Sequence, residues 1–180
     1  MERASQDLMH EHEAILKALD IIEAIAAKVR NDANSDTADI NKMIDFLRVF
    51  ADKCHHGKEE GFLFPALEAA GIRKDNGPIG IMLSHHTTGR QLINMMDEAA
   101  KAKPFQAAAF AEAATSYVDL MRIHIQKENM VLFPMGDNVL PDEKQKELLE
   151  KFELHEKNVV GEGKHEEYHA LLKNLQSKYL

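Results

Sequence analysis

The chain has no tryptophan and a single cysteine, Cys54. One thiol cannot form an internal disulfide, so no covalent staple holds the fold. Long hydrophobic runs are missing as well. None approaches the roughly 20 apolar residues that cross a bilayer, and no membrane association is expected. The opening residues Met1-Glu2-Arg3-Ala4-Ser5-Gln6-Asp7 lack the apolar stretch of a signal peptide, which points to the cytoplasm. Positive charge is scarce too. The net charge is −8 with histidine neutral, and no basic stripe is visible, which argues against nucleic acid as a partner.

What remains is enough for one domain: 180 residues, 44% hydrophobic and 29% charged. The apolar residues recur at helical spacing almost throughout. Leu8, His12, Ile15, Leu19 and Ile22 mark a first helix. After a loop over 31–36, with Ser35, Asp36 or Thr37 as its cap, a second helix carries Ile40, Ile44, Leu47 and Ala51 into His55 and Glu59. Pro65 is expected to loosen this helix before Gly71. Gly77-Pro78 opens a third helix, and Lys103-Pro104 a fourth with Pro104 in its first turn. The expected fold is all-α: an antiparallel up-down four-helix bundle over about 5–138, with one or two further helices over about 141–178 split at Gly161-Glu162-Gly163. No composition shift divides residues 1–180 into two domains.

Histidine is the residue in excess, with ten copies, and its placement is repetitive. His55-x3-Glu59 runs into Leu63-Phe64-Pro65, and His124-x3-Glu128 into Leu132-Phe133-Pro134, at one offset (124 − 55 = 128 − 59 = 133 − 64 = 69). A weaker repeat aligns Leu8, His12, Leu19 and Ile22 with Met82, His86, Ile93 and Met96 (86 − 12 = 74). Residues four apart share a helix face, so each His-x3-Glu aims an imidazole and a carboxylate the same way. Two buried glutamates with no Lys or Arg in the same stripes would each cost several kcal/mol. Divalent metal removes that cost, and imidazoles with carboxylates inside a helical bundle suit a pair of first-row ions. Iron is the first choice and manganese the second. Zinc is disfavoured, because this many N and O donors exceed one tetrahedral site.

The chain resembles the hemerythrin-like (HHE cation-binding) family. The likeness rests on Glu11-His12, on His55-His56-Gly57-Lys58-Glu59-Glu60 with Leu63-Phe64-Pro65, on His86 with Gly89-Arg90, and on His124-x3-Glu128 with Leu132-Phe133-Pro134-Met135. It implies a non-haem di-iron centre: two iron ions (Fe2+/Fe3+) with a bridging oxo or hydroxo group, bridging carboxylates from Glu59 and Glu128, and terminal His12, His55, His86 and His124. It also implies a small ligand, dioxygen, nitric oxide or peroxide, bound for sensing, storage or detoxification. A di-iron redox enzyme of peroxidase or oxidase type is the alternative, as is a metal-dependent regulatory module that meets a protein partner through the segment from Pro141. The sequence names no such partner.

Oxygen-carrying members have five histidines, two of them four apart on the third helix. Here the positions four from His86 are Met82 and Arg90. His165, three residues before Tyr168 on the apolar face of the last helix, is the expected replacement. The Leu-Phe-Pro alignment selects His55 over His56 and Glu59 over Glu60, because Ile125 and Asn129 occupy the equivalent positions in the second copy. His56, Glu60 and His85 are then expected beside the ligands rather than among them. Cys54 reads as a buried core thiol.

Overall fold

The computed structural model describes residues 2–31 and 37–180, and no strand occurs among them. Ser35 and Asp36 lie outside the described residues; Thr37, the third candidate cap, is already the first residue of its helix. Helix α1 spans Ala4–Asn31 and buries Leu8, His12, Ile15, Leu19 and Ile22, the stripe expected from spacing. Helix α2, Thr37–Phe46, continues without a break into a π-helical segment, Leu47–His56, and a second π-helical segment covers Glu59–Leu63. Helix α3, Phe64–Ala69, follows at once, with Pro65 in its first turn.

Proline has no N–H, and its ring crowds the carbonyl four residues back. At Pro65 the chain answers by widening: the Phe64 amide reaches the Glu59 carbonyl, five residues away. The loosening at Pro65 is therefore a wide turn and not a break. Helix α3 ends where the Ile72 amide bonds to the Leu67 carbonyl and the Gly71 amide to the Glu68 carbonyl, closing on Gly71 at φ 97°. Glycine takes that left-handed backbone without a Cβ clash.

Helix α4, Pro78–Lys101, starts on the expected Gly77-Pro78. Helix α5, Ala107–Lys127, starts later than expected. Pro104 stays in the connection, because the Gln106 amide bonds back to the Ala99 carbonyl and Phe105 packs on Phe110 before the helix begins. A third π-helical segment, Glu128–Leu132, then leads into α6, Phe133–Val139. Helices α7, Asp142–Val159, and α8, Lys164–Tyr179, are separated at Gly161 and Gly163, both at positive φ.

The most extensive packing is between α4 and α5 and between α1 and α5, while α8 lies along α1. The buried apolar side chains form two clusters. The larger joins Ile15, Leu19, Phe50, Ile93, Tyr117 and Met121 to Tyr168, Leu172 and Leu175 of α8. The smaller joins Leu8, Leu63, Phe64, Met82, Leu132 and Phe133 to Leu148 and Phe152 of α7. Along α1 the order is Leu8, His12, Ile15; along α4 it is Met82, His86, Ile93. The histidines thus occupy a polar layer between two dry ones. No helix among the described residues is long and apolar enough to cross a membrane.

Candidate metal centre

Seven ionisable side chains of that layer converge: His12, His55, His56, Glu59, His86, His124 and Glu128, each no more than 2% exposed. They form two groups, His56, Glu59, His86 and His124 in one, and His12, His55, Glu59 and Glu128 in the other, with donor atoms within 4.8 Å of one another in each. Glu59 belongs to both. Its Oε1 lies 3.4 Å from His55 Nε2 and its Oε2 lies 3.2 Å from His86 Nε2. Glu128 Oε2 stands 3.3 Å from His12 Nε2 and 3.2 Å from His124 Nε2.

The outer nitrogens fix the rings. His55 Nδ1 is 2.8 Å from Glu11, His86 Nδ1 is 2.7 Å from Glu60, and His56 Nδ1 is 3.3 Å from Asp52. A carboxylate only accepts, so the Nδ1–H donates and Nε2 faces inward, with a lone pair whenever the ring is neutral. His12 Nδ1 likewise lies 2.7 Å from Asn129 Oδ1. Arg90 ties two of these carboxylates together, donating to Asp52 at 2.8 Å and to Glu60 at 2.7 Å. Phe133 lies parallel to the His12 ring and Phe64 is stacked on that of His86, at 5.5 and 5.7 Å between centroids. The Leu-Phe-Pro repeat therefore supplies the rings that brace the histidines.

The offsets recur in space. Glu60 orients His86 and Asn129, 69 residues on, orients His12. Glu11 orients His55, but its counterpart 74 residues on is His85, which lies 5.6 Å ring to ring from His124 without a hydrogen bond. His56 has Ile125 as its counterpart, so one group holds three imidazoles and the other two.

Five Nε2 atoms and all four oxygens of Glu59 and Glu128 are buried without a hydrogen bond. Such atoms are costly unless a cation or proton lies among them. Protons supply part of the answer. Burial opposes charge on His55, but Glu59 and Glu11 outweigh it and push the imidazole up to about 10. Against the same burial, Glu59 and Glu60 push His86 up to about 9. Burial and the neighbouring Glu128 would raise Glu59, yet His55 and His86 hold it at about 2. Burial is outweighed at Glu128 by His124 and His12, which keep it well below the usual carboxylate range. Burial and the charge on His86 hold His56 well below an ordinary imidazole. Two imidazoliums cannot satisfy nine inward atoms, whereas bound metal cations can. The donors are nitrogen and oxygen alone, a set suited to first-row divalent ions, and the residues present fit such ions.

The expected residues His12, His55, Glu59, His86, His124 and Glu128 are all brought together. His165 is not among them: it lies 3.6 Å from Glu156, with its ring 5.1 Å from Phe50, at the junction of α7 and α8. The fifth inward histidine is His56, expected only beside the ligands. The reason is local. On an α-helix adjacent residues diverge, but the Leu47–His56 segment has the wider π turn, which lets His55 and His56 both face the centre. The sequence signals were present in the His-His pair and in Pro65 downstream. Nothing in the sequence marks Lys58: 1% exposed, it donates to Glu11 at 2.8 Å, Asp7 at 3.0 Å and Glu156 at 3.2 Å.

The Hemerythrin HHE cation binding domain model matches residues 3–136. Uncharacterized proteins of Mycobacterium bovis and of two Mycobacterium tuberculosis strains are each 28% identical over 168 residues, covering 89% of this chain and 64% of their own length. This chain thus spans somewhat less than two thirds of those relatives. No solved structure matches it. With a matched segment that contains every residue of the two His/Glu groups, the chain belongs to the hemerythrin HHE cation-binding family.

Proposed function

We propose that the centre holds two iron ions and binds dioxygen, or a related small ligand such as nitric oxide or peroxide, for sensing, storage or detoxification. The observation that carries this reading is the convergence of nine buried, unpartnered nitrogen and oxygen atoms between two apolar clusters. His56, His86 and His124 would hold one ion and His12 and His55 the other; Glu59 belongs to both groups, and Glu128 lies against His12 and His124. His56 takes the place first assigned to His165. Bound iron supplies one-electron redox chemistry and, at the ion with fewer imidazoles, room for an exogenous ligand.

The chain's own residues do the rest. Glu11, Glu60, Asp52 and Asn129 hold the imidazoles in the tautomer that presents Nε2. Phe64 and Phe133 restrict ring rotation. The dry layers on either side exclude water and strengthen every charge interaction inside.

Protein purified without oxygen, assayed for metal, reduced and then exposed to air tests this reading. About two irons per chain are expected, with a charge-transfer band that appears in air and reverses when oxygen is removed. His56→Ala lowers the iron content and His165→Ala leaves it unchanged. A centre without iron sinks the proposal. Irreversible conversion to a stable ferric form replaces ligand binding with redox catalysis.

A further inference from the structure

His165 has a setting of its own. A surface cavity of about 280 Å³ opens where α1, α7 and α8 meet, and Asp7, Glu11, Glu156, His165 and His169 are among the residues lining it. Glu11, Glu156 and His165 each offer one donor atom within 4.8 Å of the other two, the same compactness as the central groups. His165 Nε2 is enclosed and makes no hydrogen bond, although Glu156 Oε1 stands 3.6 Å away. Lys58 does not fill this gap, because it reaches Glu156 through the other oxygen, Oε2. Each Glu11 oxygen accepts one hydrogen bond, from Lys58 or His55, and keeps a lone pair for an ion. Nor does the Lys58 charge balance the site. With the centre metal-loaded and His55 therefore neutral, Asp7, Glu11 and Glu156 carry three negative charges against the one ammonium they all contact, leaving two.

We propose that Glu11, Glu156 and His165 form an additional site for one divalent first-row ion, separate from the central pair. An imidazole with two carboxylates and open solvent positions suits Mn2+, Fe2+ or Zn2+, and an ion of charge two matches the residual charge. Its donors come from three helices, α1, α7 and α8. The ion therefore clasps the two C-terminal helices to α1 across the turn at Gly161 and Gly163. Glu11 also accepts from His55 Nδ1, so the added ion sits one carboxylate away from the central layer. This inference rests on a metal-loaded centre, with His55 neutral, but not on which metal fills it or on what that metal binds.

The test is a Mn2+ titration of iron-loaded protein, following the loss of the free-ion paramagnetic resonance signal, with thermal melts in parallel. One further Mn2+ per chain is expected, together with a rise in melting temperature. His165→Ala and Glu156→Gln each weaken Mn2+ binding tenfold or more and remove the rise, with iron content and visible spectrum unchanged. Both side chains are partly exposed and neither belongs to the central groups, so these variants keep the fold, which the melts verify. No uptake of Mn2+ beyond the central ions overturns the proposal. Uptake in both variants equal to that of the unsubstituted protein does so as well.

Discussion

Lys58 shows what a single residue can hide. In the sequence it is one letter between His55 and Glu59; in the structure its ammonium is buried against carboxylates from residues 51, 47 and 98 positions away. No local pattern reveals a partner at that separation. His12, His55, His86 and His124 were legible because metal chemistry demands spacing that repeats, and the repeat is printed twice; His56, outside the repeat, was not. Lys58 is predicted to matter more for stability than its motif position suggests. Lys58→Met leaves Glu11, 6% exposed, with His55 as its remaining partner and without the ammonium at Oε1, and breaking a buried pair costs about 3–5 kcal/mol. Asp7 and Glu156 are about a third exposed and are screened, so the lower end, about 3 kcal/mol, is expected. Urea unfolding at neutral pH measures it. A loss under about 1 kcal/mol contradicts the account.

Among the elements, helix starts and stops were legible where glycine and proline punctuate: Gly77-Pro78 opens α4, and Gly161 with Gly163 parts α7 from α8. The three π-helical segments were not, because a five- or ten-residue π stretch shifts the apolar repeat too little to stand out from the α-helical one. They bear on the candidate site, since the wide turn places His56 beside His55. Gly57 lies between two of them and faces α7. A Cβ added there would sit 2.6 Å from His155 Nε2, which itself rests 3.0 Å from the Lys53 carbonyl. Gly57→Ala is predicted to push His155 off that carbonyl and loosen α7, at a cost of about 1–3 kcal/mol for overpacking. Amide exchange along α7 reports it directly. Protection there equal to that of the unsubstituted protein means that His155 yields without cost.

At the scale of the whole molecule, one polar layer between two apolar ones makes stability depend on what neutralises that layer. The two states respond to pH in opposite ways. Without metal, His55 and His86 are raised to about 10 and about 9, above the ordinary 6.5 of an unfolded chain. Groups raised on folding stabilise fully below the unfolded value and lose that contribution as pH climbs through the folded one. The metal-free protein is therefore predicted to lose stability from about pH 6.5 toward pH 9–10. Glu59, held at about 2 against an ordinary 4.5, acts at the other end: its contribution is present above 4.5 and disappears as pH falls toward 2. Metal requires neutral imidazoles, so loading near pH 7 releases protons from His55 and His86, and affinity grows as pH rises. Melting temperatures of chelator-treated and metal-loaded protein should diverge between pH 6.5 and 9, the first falling while the second holds or rises. Calorimetric titration with metal in buffers of different ionisation enthalpy should show proton release, about two per chain at pH 7. Parallel melting curves with no proton release would mean that the imidazoles are already neutral without metal. The convergence of His55 and His86 on Glu59 would then have to be held by packing from the flanking apolar clusters alone.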